Sequence, residues 1–157
     1  VSHPVNKETE TKILNCLQIG DKGGLYDSYF STVKNITEVA LKAMSPGIND
    51  PGTALHAINY LILLFSKRME LPDEIAYNTD QGKNYFIQQL YPFEKLLSSS
   101  FSELRTYAAH DPVITQSVLK GCNYLLQRPA IDDDYYSIIV KEERLFRQRH
   151  NEVTKKN

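Results

Sequence analysis

Ser45-Pro46-Gly47-Ile48-Asn49-Asp50-Pro51-Gly52-Thr53-Ala54 decides the architecture, because it ends one helix and starts another within ten residues. Pro46 disfavours helical geometry at Ser45, and Gly47 is able to take the left-handed conformation that closes a helix end. Asn49 or Asp50 then caps the next helix, with Pro51 at its first position, where a missing N–H costs nothing. Upstream, Phe30, Val33, Thr37, Ala40, Leu41 and Met44 recur at three- and four-residue steps, so a helix is predicted from Tyr26 to Met44. Downstream, Pro51 to Arg68 is apolar on nearly every side and is expected in the middle of a bundle. Its apolar stretch, Ala54 to Phe65, is interrupted by His56 and Asn59 and falls short of the roughly 20 apolar residues that span a bilayer.

Working outward, an earlier helix is predicted from Glu8 to Ile19, with Ile13, Leu14 and Leu17 on its apolar face, followed by the link Asp21-Lys22-Gly23-Gly24. After Arg68 the pattern changes. Ile75-Ala76-Tyr77-Asn78-Thr79 and Asn84-Tyr85-Phe86-Ile87-Gln88-Gln89 flank Asp80-Gln81-Gly82-Lys83, which reads as a hairpin. A helix from near Pro92 carries Phe93, Leu96, Leu97, Phe101, Leu104 and Tyr107 on one face. The next opens with Asp111-Pro112, the same device as Asp50-Pro51, and packs Ile114, Val118, Cys122 and Leu125. The last begins after Pro129 with Asp132, Asp133 and Asp134 at its positive end and places Arg147 and Arg149 near its negative end, which suits the helix dipole. The expected fold is therefore mainly all-α: a six-helix bundle with a small β-hairpin insertion near residues 74–90, in one domain over 1–157 with a frayed polar tail at 151–157.

Composition narrows the function classes. The 157 residues are long enough for one sizeable core, and a net charge of -1 with interspersed signs argues against a nucleic-acid surface, which needs clustered cations. Cys16 and Cys122 lie far apart in apolar helical patterns and read as reduced, buried thiols. The start Val1-Ser2-His3-Pro4 is polar, and no signal peptide is expected in it. His3, His56, His110 and His150 are dispersed, so no metal site is assigned and no cofactor is expected. His110-Asp111 resembles a metal-phosphohydrolase dipeptide, but Asp111 is already explained as a cap before Pro112. No nucleophile elbow, Gly-rich phosphate loop or dinucleotide fingerprint is present, and no catalytic residue is assigned.

One candidate site stands out at the opening turn. Glu38, Lys42 and Ser45 form a polar stripe entering it, while Thr53 and His56 form another leaving it. With Asn49 and Asp50 they define a candidate corner pocket for a small ligand or ion at a helix start. The competing explanation is that these side chains satisfy the turn's own backbone groups. The apolar helix after the turn raises a further expectation, a homo-oligomer in which some of Leu61, Leu63, Leu64 and Phe65 face a second subunit.

The stretch Val39 to Ala54, centred on Ser45-Pro46-Gly47-Ile48-Asn49-Asp50-Pro51, closely resembles the signature of a bacterial family of predicted membrane proteins of unknown function (domain of unknown function 2254). The region Phe93 to Val113, with Leu104-Arg105 and Asp111-Pro112, is similar to the family's downstream half; the segment Asp21 to Phe30 lacks the charged pattern often found there. The resemblance implies transmembrane helices upstream of a soluble C-terminal domain, attached through them to the bacterial inner membrane and facing the cytoplasm. The absent initiating Met agrees with such a fragment. The functional expectation is a regulatory, sensory or assembly domain. The alternative is a hydrolytic enzyme using the Ser45–Thr53 corner with Asn49, Asp50 and His56.

Overall fold

The computed structural model describes residues 25–78 and 85–155, together with Lys7. Within them the chain forms α1 (Leu25–Ala43), α2 (Pro51–Arg68), β1 (Glu74–Asn78), β2 (Tyr85–Gln89), α3 (Phe93–Ala108), α4 (Pro112–Leu126) and α5 (Asp134–Thr154). Five helices are therefore present among the described residues where the sequence predicts six. The helix expected at 8–19, the 21–24 link, Cys16 and the hairpin's turn at 80–83 lie outside the described residues.

The helices alternate in direction along a bundle whose members are about 22 to 32 Å long. The α1–α2 and α3–α4 corners lie at one end, together with the end of α5, where the ring Nδ1 of His150 is 3.0 Å from the carbonyl of Ala109. The hairpin and the α4–α5 link lie at the other end, where Ile131 N–H bonds the carbonyl of Met69 at 2.9 Å. The predicted stripe of α1 is confirmed: Val33, Thr37 and Ala40 are buried, with Phe30, Leu41 and Met44 packed beside them.

Helix α2 buries Ala54, Ala57, Ile58, Leu61, Ile62 and Phe65, and packs against α1 on one side and α4 on the other. It is less central than its composition suggests, because Tyr60 at 63% and Leu63 at 49% remain open to solvent. Its approach to α4 depends on Gly121, where an added Cβ would lie 2.6 Å from Ile62 Cδ1 and Cγ1. An aromatic chain crosses the core: Phe65 meets Phe93 and Phe101 edge-on at 6.4 and 6.0 Å, and Phe101 meets Phe146 at 6.2 Å. These T-shaped contacts join α2, α3 and α5 beyond simple area burial. Tyr107, assigned to the α3 core face by periodicity, is instead exposed.

The hairpin forms a two-stranded antiparallel sheet with Glu74 opposite Gln89 and Asn78 opposite Tyr85. Its base is fastened by Arg68, which is buried yet fully engaged. The guanidinium donates to the Asp73 carboxylate, to the Leu71 carbonyl at 2.6 Å and to the Tyr91 carbonyl at 3.0 Å. Asp73 also accepts from the Phe93 N–H at 3.1 Å and the Tyr135 hydroxyl at 2.8 Å. A buried cation is tolerated because its charge and donors are satisfied. At the far side of the bundle Arg105 and the buried Glu142 pair at 2.8 Å, linking α3 to α5. Helix α5 continues through Asn151 to Thr154 and buries Val153, so the frayed tail expected from 151 is helical as far as Thr154. Cys122 is a buried free thiol, and burial pushes its pKa up to about 12.

Candidate functional site

The opening turn closes by a route different from the one the sequence suggests. Gly47 does not take the left-handed conformation; Asn49 does, with φ 47°. Asparagine tolerates that region through its short polar side chain, which leaves Gly47 in open space. The Ile48 and Asn49 N–H groups both bond the Ser45 carbonyl, at 3.0 and 2.9 Å, and the Asp50 N–H reaches the Ala43 carbonyl at 2.8 Å. Ser45 Oγ donates to the Lys42 carbonyl at 2.7 Å.

Asp50 is the cap of α2. Its carboxylate accepts from the Thr53 N–H at 3.1 Å and the Thr53 hydroxyl at 2.6 Å. Those bonds, the hydroxyl's first, hold its pKa below the usual 3.8. Much of the expected corner set is thus consumed by helix stop-and-start chemistry. Of Glu38, Lys42, Ser45, Asn49, Asp50, Thr53 and His56, only Asn49 lines the cleft found at this end of the bundle. Asp50 and His56, given roles in the hydrolytic alternative, do not share that cleft with Asn49.

The cleft has a volume of about 340 Å³ and lies between the two corners, not within one. Ala43, Met44, Pro51, Pro112 and Ile114 supply its apolar walls, and Asn49, Tyr107, His110 and Asp111 supply its polar groups. Pro51 and Pro112 are the first residues of α2 and α4, so two Asp-Pro helix starts converge on one space. Asp111 caps α4 through Oδ1 alone, accepting from the Val113 and Ile114 N–H groups at 2.8 and 3.1 Å. Among the described residues, the Asn49 amide, the Tyr107 hydroxyl and the His110 ring have no hydrogen-bond partner, and Asp111 keeps Oδ2 free.

Sequence reasoning assigned no site role to Tyr107, His110 and Asp111. The signal that could have found them was the repeated Asp-Pro step: two helices opened by the same aspartate-proline pair, each entered from a corner, begin side by side if they run parallel. Among the described residues no group of three or more His, Cys, Asp or Glu side chains could hold a metal ion, and no Lys or Arg lines the cleft. A smaller hollow of about 110 Å³ lies between α1 and α3, bounded by Lys34, Glu103 and the hydrogen-bonded hydroxyls of Thr37 and Ser100.

The fold, a helical bundle with a projecting ribbon and a cleft at two matched helix starts, has no match among solved structures. At the sequence level, the description "Predicted membrane protein (DUF2254)" matches residues 1–123. The chain belongs to that bacterial family of predicted membrane proteins, for which no function is known. Uncharacterized proteins of Mycobacterium bovis and of two Mycobacterium tuberculosis strains are 25% identical to it over 112 residues, 69% of this chain. The matched stretch covers 21% of each relative, so the chain spans about a fifth of their length. No described helix is long and apolar enough to cross a membrane.

Proposed function

We propose that this chain is a ligand-sensing regulatory unit of a bacterial inner-membrane protein, held on the cytoplasmic side, with its ligand site in the cleft between the two Asp-Pro corners. The observation that carries this reading is that Asn49, Tyr107 and His110, exposed side chains without a protein hydrogen-bond partner among the described residues, line one cleft together with Met44, Pro51, Pro112 and Ile114. Apolar walls with a few converging polar groups are the usual make-up of a small-molecule site, and the volume falls at the lower end of the usual range. The cleft also lies at the end of the bundle away from Leu25, where the chain enters α1. Occupancy there would pull the α1–α2 corner against the α3–α4 corner, giving a mechanical route from a bound ligand along α1 toward the family's membrane segments.

A thermal-shift screen tests the reading directly. A ligand at one hundred times its dissociation constant adds about 2.7 kcal/mol of stability. That raises the melting temperature of a chain this size by roughly 5 to 10 °C. Tyr107 is exposed, so Tyr107→Ala should keep the fold and abolish the shift. The reading fails if no compound in a broad metabolite panel moves the melting temperature.

A second reading, self-association, is favoured by the exposed Tyr60 and Leu63 on α2. Leu61 and Phe65 are buried and Leu64 is half-buried, so of the four residues expected at such an interface Leu63 is the one available. Light scattering on wild type and Leu63→Glu decides it: a dimer lost in the variant supports this reading, and a strict wild-type monomer removes it.

A further inference from the structure

We propose that the cleft takes a small organic cation, an alkylammonium-type ligand with a protonated nitrogen and a short apolar body; this rests on the cleft being a ligand site. Three observations set the charge preference. Asp111 offers a carboxylate oxygen, Oδ2, which neither of its two hydrogen bonds uses. Tyr107, an exposed residue of the cleft lining, offers a phenol ring without a ring contact and a hydroxyl without a protein partner among the described residues. A protonated nitrogen over an aromatic face and beside a carboxylate is held by both.

The third observation weighs against the opposite charge, although the His110 ring also lines the cleft. Two helix N-termini meeting at a cleft would ordinarily attract an anion through their free N–H groups. Here each terminus is already occupied by its own aspartate, Asp50 on the Thr53 N–H and Asp111 on the Val113 and Ile114 N–H groups. No Lys or Arg lines the cleft to restore an anion's binding charge. A bare divalent cation is equally ill served, since calcium needs six to eight oxygen ligands and the side chains lining the cleft offer one carboxylate, one amide and one phenol. The floor of Met44, Pro51, Pro112 and Ile114 suits methylene groups.

The test uses the 157-residue chain and three probes of equal length: n-butylammonium, n-butanol and butyrate. Each is titrated by two-dimensional NMR, following the backbone signals of Asn49, His110 and Val113. Asp111→Asn accompanies the wild type, because asparagine keeps the capping oxygen while removing the charge. Butylammonium is expected to perturb these signals at lower concentration than the other probes, and to bind about tenfold more weakly to Asp111→Asn. Butanol should bind the two proteins alike. Equal binding of butanol and butylammonium to both proteins, or tighter binding of butyrate, overturns the cation preference and leaves the ligand site standing. Cleft signals that respond to none of the three probes overturn the cation proposal, and the thermal-shift panel then decides the ligand site separately.

Discussion

The two corners at the cleft use one device in two settings. Each has an aspartate cap followed by proline at the first helical position. The α1–α2 corner is self-contained: its hydrogen bonds run among residues 40–54, its cap is exposed, and its reversal depends on the left-handed Asn49. The α3–α4 corner is tied to the bundle. Ala108 and Ala109 are buried, Thr115 Oγ1 donates to the Ala108 carbonyl at 3.1 Å, and His150 of α5 reaches the Ala109 carbonyl. The contrast teaches that a capping motif fixes where a helix starts but not how firmly its corner is held. A cleft between one fastened wall and one self-supporting wall is a place where a ligand could move the second against the first.

The largest expected effect comes from loosening the fastened side. Arg105→Met removes the partner of the buried Glu142, two residues before Tyr107. An uncompensated buried charge costs about 3 to 5 kcal/mol, read as a lower denaturation midpoint in urea. A loss under 1 kcal/mol would mean that the α3–α5 tie does not fasten that corner. Next comes the spacing between the helices that the corners launch. Gly121→Ala drives a Cβ into Ile62 and should cost about 1 to 3 kcal/mol, with the paired change Gly121→Ala and Ile62→Val recovering part of it.

The corners themselves can then be compared. Asp111→Ala leaves two N–H groups of α4 without their acceptor at a half-buried site, and should cost close to 2 kcal/mol. Asp50→Ala at the exposed corner should lower the denaturation midpoint by less than Asp111→Ala does. Reversed order in chemical denaturation would break the comparison. The smallest effect concerns pH. Asp50 has a lowered pKa in the folded state, so its contribution is present above the usual 3.8 and is lost as pH falls through the lowered folded value. Wild type should therefore exceed Asp50→Asn in stability by a margin that is full near neutral pH and shrinks below about pH 4. A margin that does not change between pH 3 and 7 would show that the Thr53 bonds do not favour the charged form.

Local rules read much of this molecule correctly. Proline at the first helical position and aspartate before it located the starts of α2 and α4, and the three- and four-residue apolar steps found the buried stripes of α1 and α3. The periodicity misplaced Tyr107: the buried stripe of α3 runs from Leu104 to Ala108, a four-residue step, which turns Tyr107, a three-residue step away, to solvent. The choice between Gly47 and Asn49 for the left-handed residue was equally illegible, because both tolerate it and the Asp50 bond to the Ala43 carbonyl selects the geometry. Of the expected corner set only Asn49 lines the cleft, since Asp50, Thr53 and Ser45 are consumed by local bonds that short-range chemistry already favours.

The starts of α2 and α4, the apolar stripes of α1 and α3 and the two strands were readable from the chain, since each depends on dihedral preference and periodicity within a few residues, while the family was readable from the Ser45–Pro51 motif. Packing between distant segments sets Asp50-Pro51 beside Asp111-Pro112, buries Arg68 against Leu71, Asp73 and Tyr91, and brings Asn49, Tyr107, His110 and Asp111 to one cleft. Those facts depend on which helices run parallel and how closely Gly121 lets them approach, a property of packing between segments some sixty residues apart that no local pattern encodes.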